Sequence, residues 1–166
     1  MNEKTKRLVM SAMFTSLICI ATMLIKVPSP FKGYINLGDA FVLIAGWILL
    51  PAYGFFSAGI GSALADIFSG YAVYAPATFI IKALMAVVVR FVYTMLSKKI
   101  GNMPSRIFGA ILSELLMAFG YFAFESVLYG YEISALNMPI NLVQGAAGIV
   151  VGVMLSVIFA KKKFFE

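Results

Sequence analysis

Residues 40–65 read AFVLIAGWILLPAYGFFSAGIGSALA, a run without one charged side chain. A helix crossing a bilayer needs about 20 apolar residues, with a range of about 17–25. The run is long for a single crossing, and Pro51, followed by Gly54, falls at its middle. Proline ends or kinks a helix, so the stretch predicts two membrane helices joined by a tight turn. Working outward from it, Leu8–Ile25 is a charge-free first span. Residues 27–34, with Pro28, Pro30 and Gly33, read as a loop, as does the turn-rich segment 66–74 with Ser69, Gly70 and Tyr71. Ala75–Leu96, interrupted by Lys82 and Arg90, is the fourth span. A basic loop around Gly101 leads to a fifth span over 107–128 and a loop over 129–138, and a sixth span follows over 139–160. The expected fold class is therefore an all-α integral membrane protein, one six-helix domain over residues 1–166.

Composition agrees. The 166 residues are 62% hydrophobic and 12% charged, against about 45–50% and 25% in an average soluble domain. Such a chain cannot cover a water-soluble globule. A soluble enzyme domain, a disordered chain and a nucleic-acid-binding module are excluded, the last despite the net charge of +6. Histidine is absent, which removes the commonest metal ligand and general base. The single cysteine, Cys19, forms no internal disulfide or thiolate cluster. No metal and no cofactor are expected.

The basic residues report topology instead. With six spans, Lys4, Lys6, Arg7, Lys98, Lys99, Arg106, Lys161, Lys162 and Lys163 share one side, and only Lys26 and Lys32 lie on the other. Basic residues gather in cytoplasmic loops, so both termini are expected in the cytoplasm. Trp47, near the inner interface, and Tyr34, Tyr71, Tyr74, Tyr129 and Tyr131, near the outer one, are expected as belt residues.

Polar side chains inside a membrane are costly, so each is a functional candidate. Asn137, Asn141 and Gln144 follow i, i+4, i+7 spacing on one face of the last span, continued by Gly148, Gly152 and Ser156. That face should hydrogen-bond in its outer half and admit a neighbouring backbone in its inner half. The fifth span carries Glu114, Ala118, Tyr121 and Glu125 on one stripe; the fourth carries Thr78 and Lys82. A hairpin around Gly101 would set Arg90 beside Glu114 as an ion pair. It would set Lys82 near the level of Tyr121, either as a ligand contact or as a partner of Asp39 or Asp66. Asp39 suits a helix N-terminus. Asp66 ends its helix, where the dipole disfavours it, and so requires a specific partner. Small-residue ladders (Gly54, Ala58, Ser62; Ser11, Thr15; Ala12, Ser16) imply helix packing.

The segments YINLGDAFVLIAG (34–46) and GIGSALADIFSGYAVYAPATFIIKALM (59–85) together resemble the S component of an energy-coupling factor (ECF) transporter. The group concerned takes riboflavin, pyridoxine or hydroxymethylpyrimidine. The resemblance implies a multi-pass subunit of the bacterial cell membrane, not an enzyme. It would capture a vitamin or precursor in a six-helix cavity open to the outside. It would then associate with a coupling membrane subunit and two ABC ATPases, which hydrolyse the ATP. This chain has no GxxxxGK[ST] phosphate loop of its own. The family's binding positions match Asn36, Tyr74, Thr78, Lys82, Tyr121, Glu125, Asn141 and Gln144 here. Its AxxxA docking face on the first helix matches Ala12 and Ser16, with serine in place of the second alanine. The loop 26–34 would gate the cavity. Aromatic faces with amide and ammonium donors suit a flat heterocycle carrying hydroxyl or carbonyl groups. The scarcity of aromatic residues on the cavity stripes of helices four and six leans towards a single ring. The rival reading is a self-sufficient secondary transporter with Glu114, Glu125 and Lys82 as a proton relay. Neither inverted repeats nor matched broken helices are evident to support it.

Overall fold

A computed structural model of the chain describes residues 2–28 and 34–161. The order of elements is α1 (Glu3–Leu24), β1 (Lys26–Pro28), β2 (Tyr34–Asn36), α2 (Gly38–Ile48), α3 (Pro51–Phe68), α4 (Ala75–Ile100), α5 (Asn102–Tyr129) and α6 (Tyr131–Lys161). The six helices pack as one bundle. Helix α4 lies between α3 and α5, α5 packs on α6, and α1 packs on α3. The segment expected as a plain loop after α1 contains a short antiparallel hairpin, with Lys26 opposite Asn36 and Pro28 opposite Tyr34. Residues 29–33, which include Lys32 and much of the expected gate, lie outside the described residues.

Helix α2 sits at the centre. Its 11 residues rise about 16 Å, half the hydrocarbon thickness of about 30 Å. All but Phe41 and Ile48 are buried. A helix hydrophobic on all sides belongs in a core, and α1, α3, α4 and α6 surround this one. Among the described residues, four helices, α1, α4, α5 and α6, are long and apolar enough to cross a membrane.

The Pro51 break appears as expected: Leu50 is extended and Pro51 opens α3. The last boundary is different. No loop spans 129–138; Gly130, at φ +90°, is the whole interruption, and α6 runs on through Pro139. Proline in a membrane helix is tolerated where neighbours re-satisfy the freed backbone, so its position did not mark the helix start. Gly46 explains how closely α2 approaches α4. A Cβ there would lie 2.3 Å from Val89 Cγ1 and 2.7 Å from the Ala86 carbonyl oxygen.

The small-residue ladders divide by role. Ser11 and Ser57 hydroxyls meet at 2.7 Å, and Gly61 faces the Thr15 carbonyl, so that face of α1 is internal. Ala12 and Ser16 are exposed on another face. On α6, Gly152 lies against the Ala40 backbone of α2, the close approach expected of its inner half.

Candidate functional site

The cavity takes shape where α2 begins. The chain turns from β2 through Leu37 into α2, and Asn36 closes the turn by accepting the Gly38 N–H at 2.9 Å through Oδ1. This sets Asp39, fully buried, in the first turn of α2, where the helix dipole favours a carboxylate. A dipole alone does not balance a charge in a membrane core. Lys82 of α4 supplies the counter-ion through a direct ion pair to Asp39 Oδ1. Gln144 of α6 donates to Asp39 Oδ2 at 2.7 Å. The same amide accepts from the Asn36 N–H at 3.1 Å and from Asn36 Nδ2 at 3.4 Å. The hairpin, α2, α4 and α6 are thereby tied into one polar floor.

Above this floor lies a hollow of about 530 Å³, counted to its open mouth and bordered by α1, β2, α3, α4, α5 and α6. Its walls are carboxylates held by phenols and amides. Tyr34 donates to Asp66 Oδ1 at 2.5 Å. Tyr74 donates to Glu125 Oε1 at 3.3 Å, and Asn137 Nδ2 donates to Glu125 Oε2 at 3.1 Å. Thr78 and Tyr121 hydroxyls meet at 2.9 Å. Burial, reinforced by the neighbouring Asp66, pushes the Tyr34 hydroxyl well above the ordinary phenol range, so it remains a donor. The rings cluster: Tyr34 on Tyr71 at 4.9 Å, and Tyr74 near Tyr121 at 6.5 Å and Tyr129 at 6.3 Å. Lys82 Nζ stands 5.5 Å from the Tyr121 ring centre, the shared level expected from the α4–α5 hairpin.

Two polar atoms in the hollow have no hydrogen-bond partner among the described residues: the acceptor Asp66 Oδ2 and the donor Asn141 Nδ2. Both belong to lining residues. Leaving such groups unpaired in a buried place costs about 1–3 kcal/mol each, which a suitable guest would relieve.

The profile of the family described as "ECF-type riboflavin transporter, S component" matches residues 2–161. The chain belongs to that family. A Pyrococcus woesei protein described as "Uncharacterized protein in gap 3'region" is 33% identical over 146 residues, covering 87% of this chain and 95% of the relative. A solved structure titled "Structure and mechanism of the S component of a bacterial ECF transporter" superposes with a TM-score of 0.72 over 96% of this chain and 98% of its own, at 21% identity. That likeness speaks to the fold. The family is one of transporter subunits, not a class of enzymes.

In this S component, all eight positions singled out from the sequence border the one hollow: Asn36, Tyr74, Thr78, Lys82, Tyr121, Glu125, Asn141 and Gln144. Six further lining residues come with them, Thr22, Tyr34, Ser62, Asp66, Asn137 and Ile140. Asn137 had a signal, since it starts the α6 amide stripe, and so did Asp66, whose required partner is Tyr34. Thr22 and Ser62 had none, because small hydroxyl residues in apolar helices look like packing residues.

Lys82 pairs with Asp39, one of the two roles expected of it, and it also lines the hollow. Two expectations are corrected. Arg90 does not pair with Glu114. Its guanidinium donates to the Trp47 carbonyl at 2.6 Å, at the α2 C-terminus, where the dipole favours a cation. Glu114 turns to α6, against Gly145 and Gly148, and its oxygens accept no hydrogen bond among the described residues. Tyr34, Tyr71, Tyr74 and Tyr129 form one cluster of rings, with Tyr34 and Tyr74 in the cavity lining. The belt position expected of Trp47 is the second correction. Trp47, 1% exposed, is inside the bundle beneath Arg106. Tyr131, 70% exposed, remains available to the interface.

Proposed function

We propose that this S component captures a small, flat, water-soluble heterocycle of the riboflavin, pyridoxine or hydroxymethylpyrimidine kind from outside the cell. It holds the ligand in the hollow between β2 and α3–α6, and it releases it inward after docking to a coupling membrane subunit served by two ABC ATPases. The observation that carries the reading is the pair of unsatisfied groups, Asp66 Oδ2 and Asn141 Nδ2, among tyrosine rings in one shared hollow. Tyr74 and Tyr121 flank the ring, Asn141 donates to it, and Asn36, Thr78, Gln144 and Glu125 fix its orientation. Lys82, neutralised by Asp39, stiffens the floor. Rings from β2, the α4 cap and α5, with none from α6, favour a single ring over a flavin.

The chain works as a multi-pass protein of the cell membrane, its six helices arranged with both termini in the cytoplasm; the basic residues at one end of the bundle favour that orientation. Ala12 and Ser16 form the docking face. Their exposure on α1, away from the α3 contact, supports this role. Mass spectrometry of small molecules released from the purified protein tests the capture: a heterocycle of this kind is expected in stoichiometric amount. Proteoliposomes test the division of labour. Uptake is expected only with the coupling subunit, the ATPases and ATP present. Uptake by the chain alone along an ion gradient would overturn the assignment in favour of a secondary transporter.

A further inference from the structure

Resting on the capture reading, we propose that Gln144 is a positioning residue: its amide seats the turn between β2 and α2 against α6, and retention of a guest in the hollow depends on that seat. The amide is committed at both ends. Nε2 donates to Asp39 Oδ2 at 2.7 Å, and Oε1 accepts from the Asn36 N–H at 3.1 Å and from Asn36 Nδ2 at 3.4 Å. An ionised carboxylate can only accept, and a backbone N–H can only donate. The group between them must offer a donor and an acceptor at once, which an amide does and neither a carboxylate nor an apolar chain can. Two donors already occupy its oxygen, so one N–H hydrogen is all that Gln144 has left for a guest. Asn141, one turn earlier on α6, is the contrast: its Nδ2 has no partner among the described residues.

The other side of the turn is closed by α1. A Cβ at Gly38 would lie 1.9 Å from Thr22 Oγ1 and 2.9 Å from Asn36 Oδ1. Asn36 Oδ1 also accepts the Gly38 N–H at 2.9 Å, which fixes the shape of the turn itself. The turn is therefore pressed on Thr22 and held by Gln144, with the hollow in front of it: Thr22, Asn36 and Gln144 all border that space. Without the amide, the Asn36 N–H and Asp39 Oδ2 each lose a partner. Unpaired polar groups are costly in a buried place. Thr22 bars a retreat towards α1, so the turn regains partners only by shifting into the hollow, carrying β2 and Tyr34 with it. The wall then loosens and the guest leaves.

The test is hydrogen exchange read by mass spectrometry on the purified full chain in detergent, with folding checked by thermal unfolding. Gln144→Met keeps the length of the side chain and removes the amide. In it the backbone amides of residues 35–38 are expected to exchange at least about tenfold faster, the scale of one lost buried hydrogen bond. Those of α4 and α5 are expected to stay within about twofold of the wild type, since the opening is local. Asn141→Ala, a change at a guest contact, is expected to leave residues 35–38 unchanged. Asp39→Asn combined with Gln144→Glu reverses the pair: a carboxylate and an amide still face each other, the Asn36 N–H keeps an acceptor, and the charge that Lys82 answers moves by one hydrogen bond. This double variant is expected to return exchange at 35–38 to within about threefold of the wild type. Small molecules released on denaturation are measured on the same preparations, and Gln144→Met is expected to carry less than about a tenth of the wild-type amount. Unchanged exchange at 35–38 in folded Gln144→Met, or an equal rise in α4 and α5, overturns the positioning role. A faster-exchanging turn that still retains the wild-type amount overturns the dependence of retention on the seat. If Gln144→Met does not fold, the double variant decides: a return to near wild-type exchange sustains the role, and a rise above about tenfold overturns it. A wild type that releases no small molecule removes the capture reading, and the exchange result then judges the seat by itself.

Discussion

The buried ion pair between Asp39 and Lys82 makes the bundle sensitive to a single substitution. Asp39 is fully buried and Lys82 is 3% exposed, so removing either partner strands a charge in a low-dielectric interior. Breaking a buried pair from one side costs about 3–5 kcal/mol. For a chain of 166 residues, 1 kcal/mol moves Tm by about 2–4 °C. Lys82→Met alone is thus expected to lower the Tm of the ligand-free protein by about 6–20 °C. Asp39→Asn alone keeps an acceptor for Gln144 but leaves the ammonium unmatched, and it is expected to cost a similar amount. The double variant removes both charges and keeps the Gln144 contact. It is expected to lose only about 1–2 kcal/mol, less than either single change. Thermal unfolding of all four proteins in one detergent closes the cycle. Additive losses, equal to the sum of the singles within about 0.5 kcal/mol, would refute the pairing. So would Lys82→Met matching the wild type.

Three further outcomes are expected. Asn141→Ala, which removes the unpaired donor, should weaken ligand binding by about 1–3 kcal/mol in calorimetry while barely moving the ligand-free Tm; unchanged affinity would place the ligand elsewhere. Tryptophan at Ala12 or Ser16 should leave binding intact and block ATP-driven uptake in reconstituted transporter, and a loss of binding would instead make that face internal packing. Gly61→Val should destabilise the protein by about 1–3 kcal/mol in thermal unfolding, because a Cβ there already lies 2.6 Å from the Thr15 carbonyl oxygen; a neutral result would mean that α1 and α3 are not in contact at that level.

The membrane class, the Pro51 break, the α4–α5 hairpin around Gly101 and the polar stripes of α5 and α6 were all legible in the chain, because each follows from local properties. Apolar runs have a length, a helix repeats every 3.6 residues, and proline acts on its own turn. The α6 stripe alone located Asn137, Asn141 and Gln144 on the cavity side. Pro139 misled at the α6 start, since whether a proline ends a membrane helix depends on what neighbouring helices offer its freed backbone.

What the sequence determined by itself was therefore which residues are costly to bury and on which helical faces they lie. Which of them meet was decided by the tertiary structure. Lys82 answers Asp39 across 43 positions, Gln144 answers the same carboxylate across 105, and Arg90 goes to the end of α2 instead of to Glu114. The physical reason is that a charge in a low-dielectric interior is stabilised by whichever opposite charge or dipole lies within a few ångströms. Those distances are set by how deeply the short α2 sits among its neighbours, and no local pattern in the chain encodes that depth.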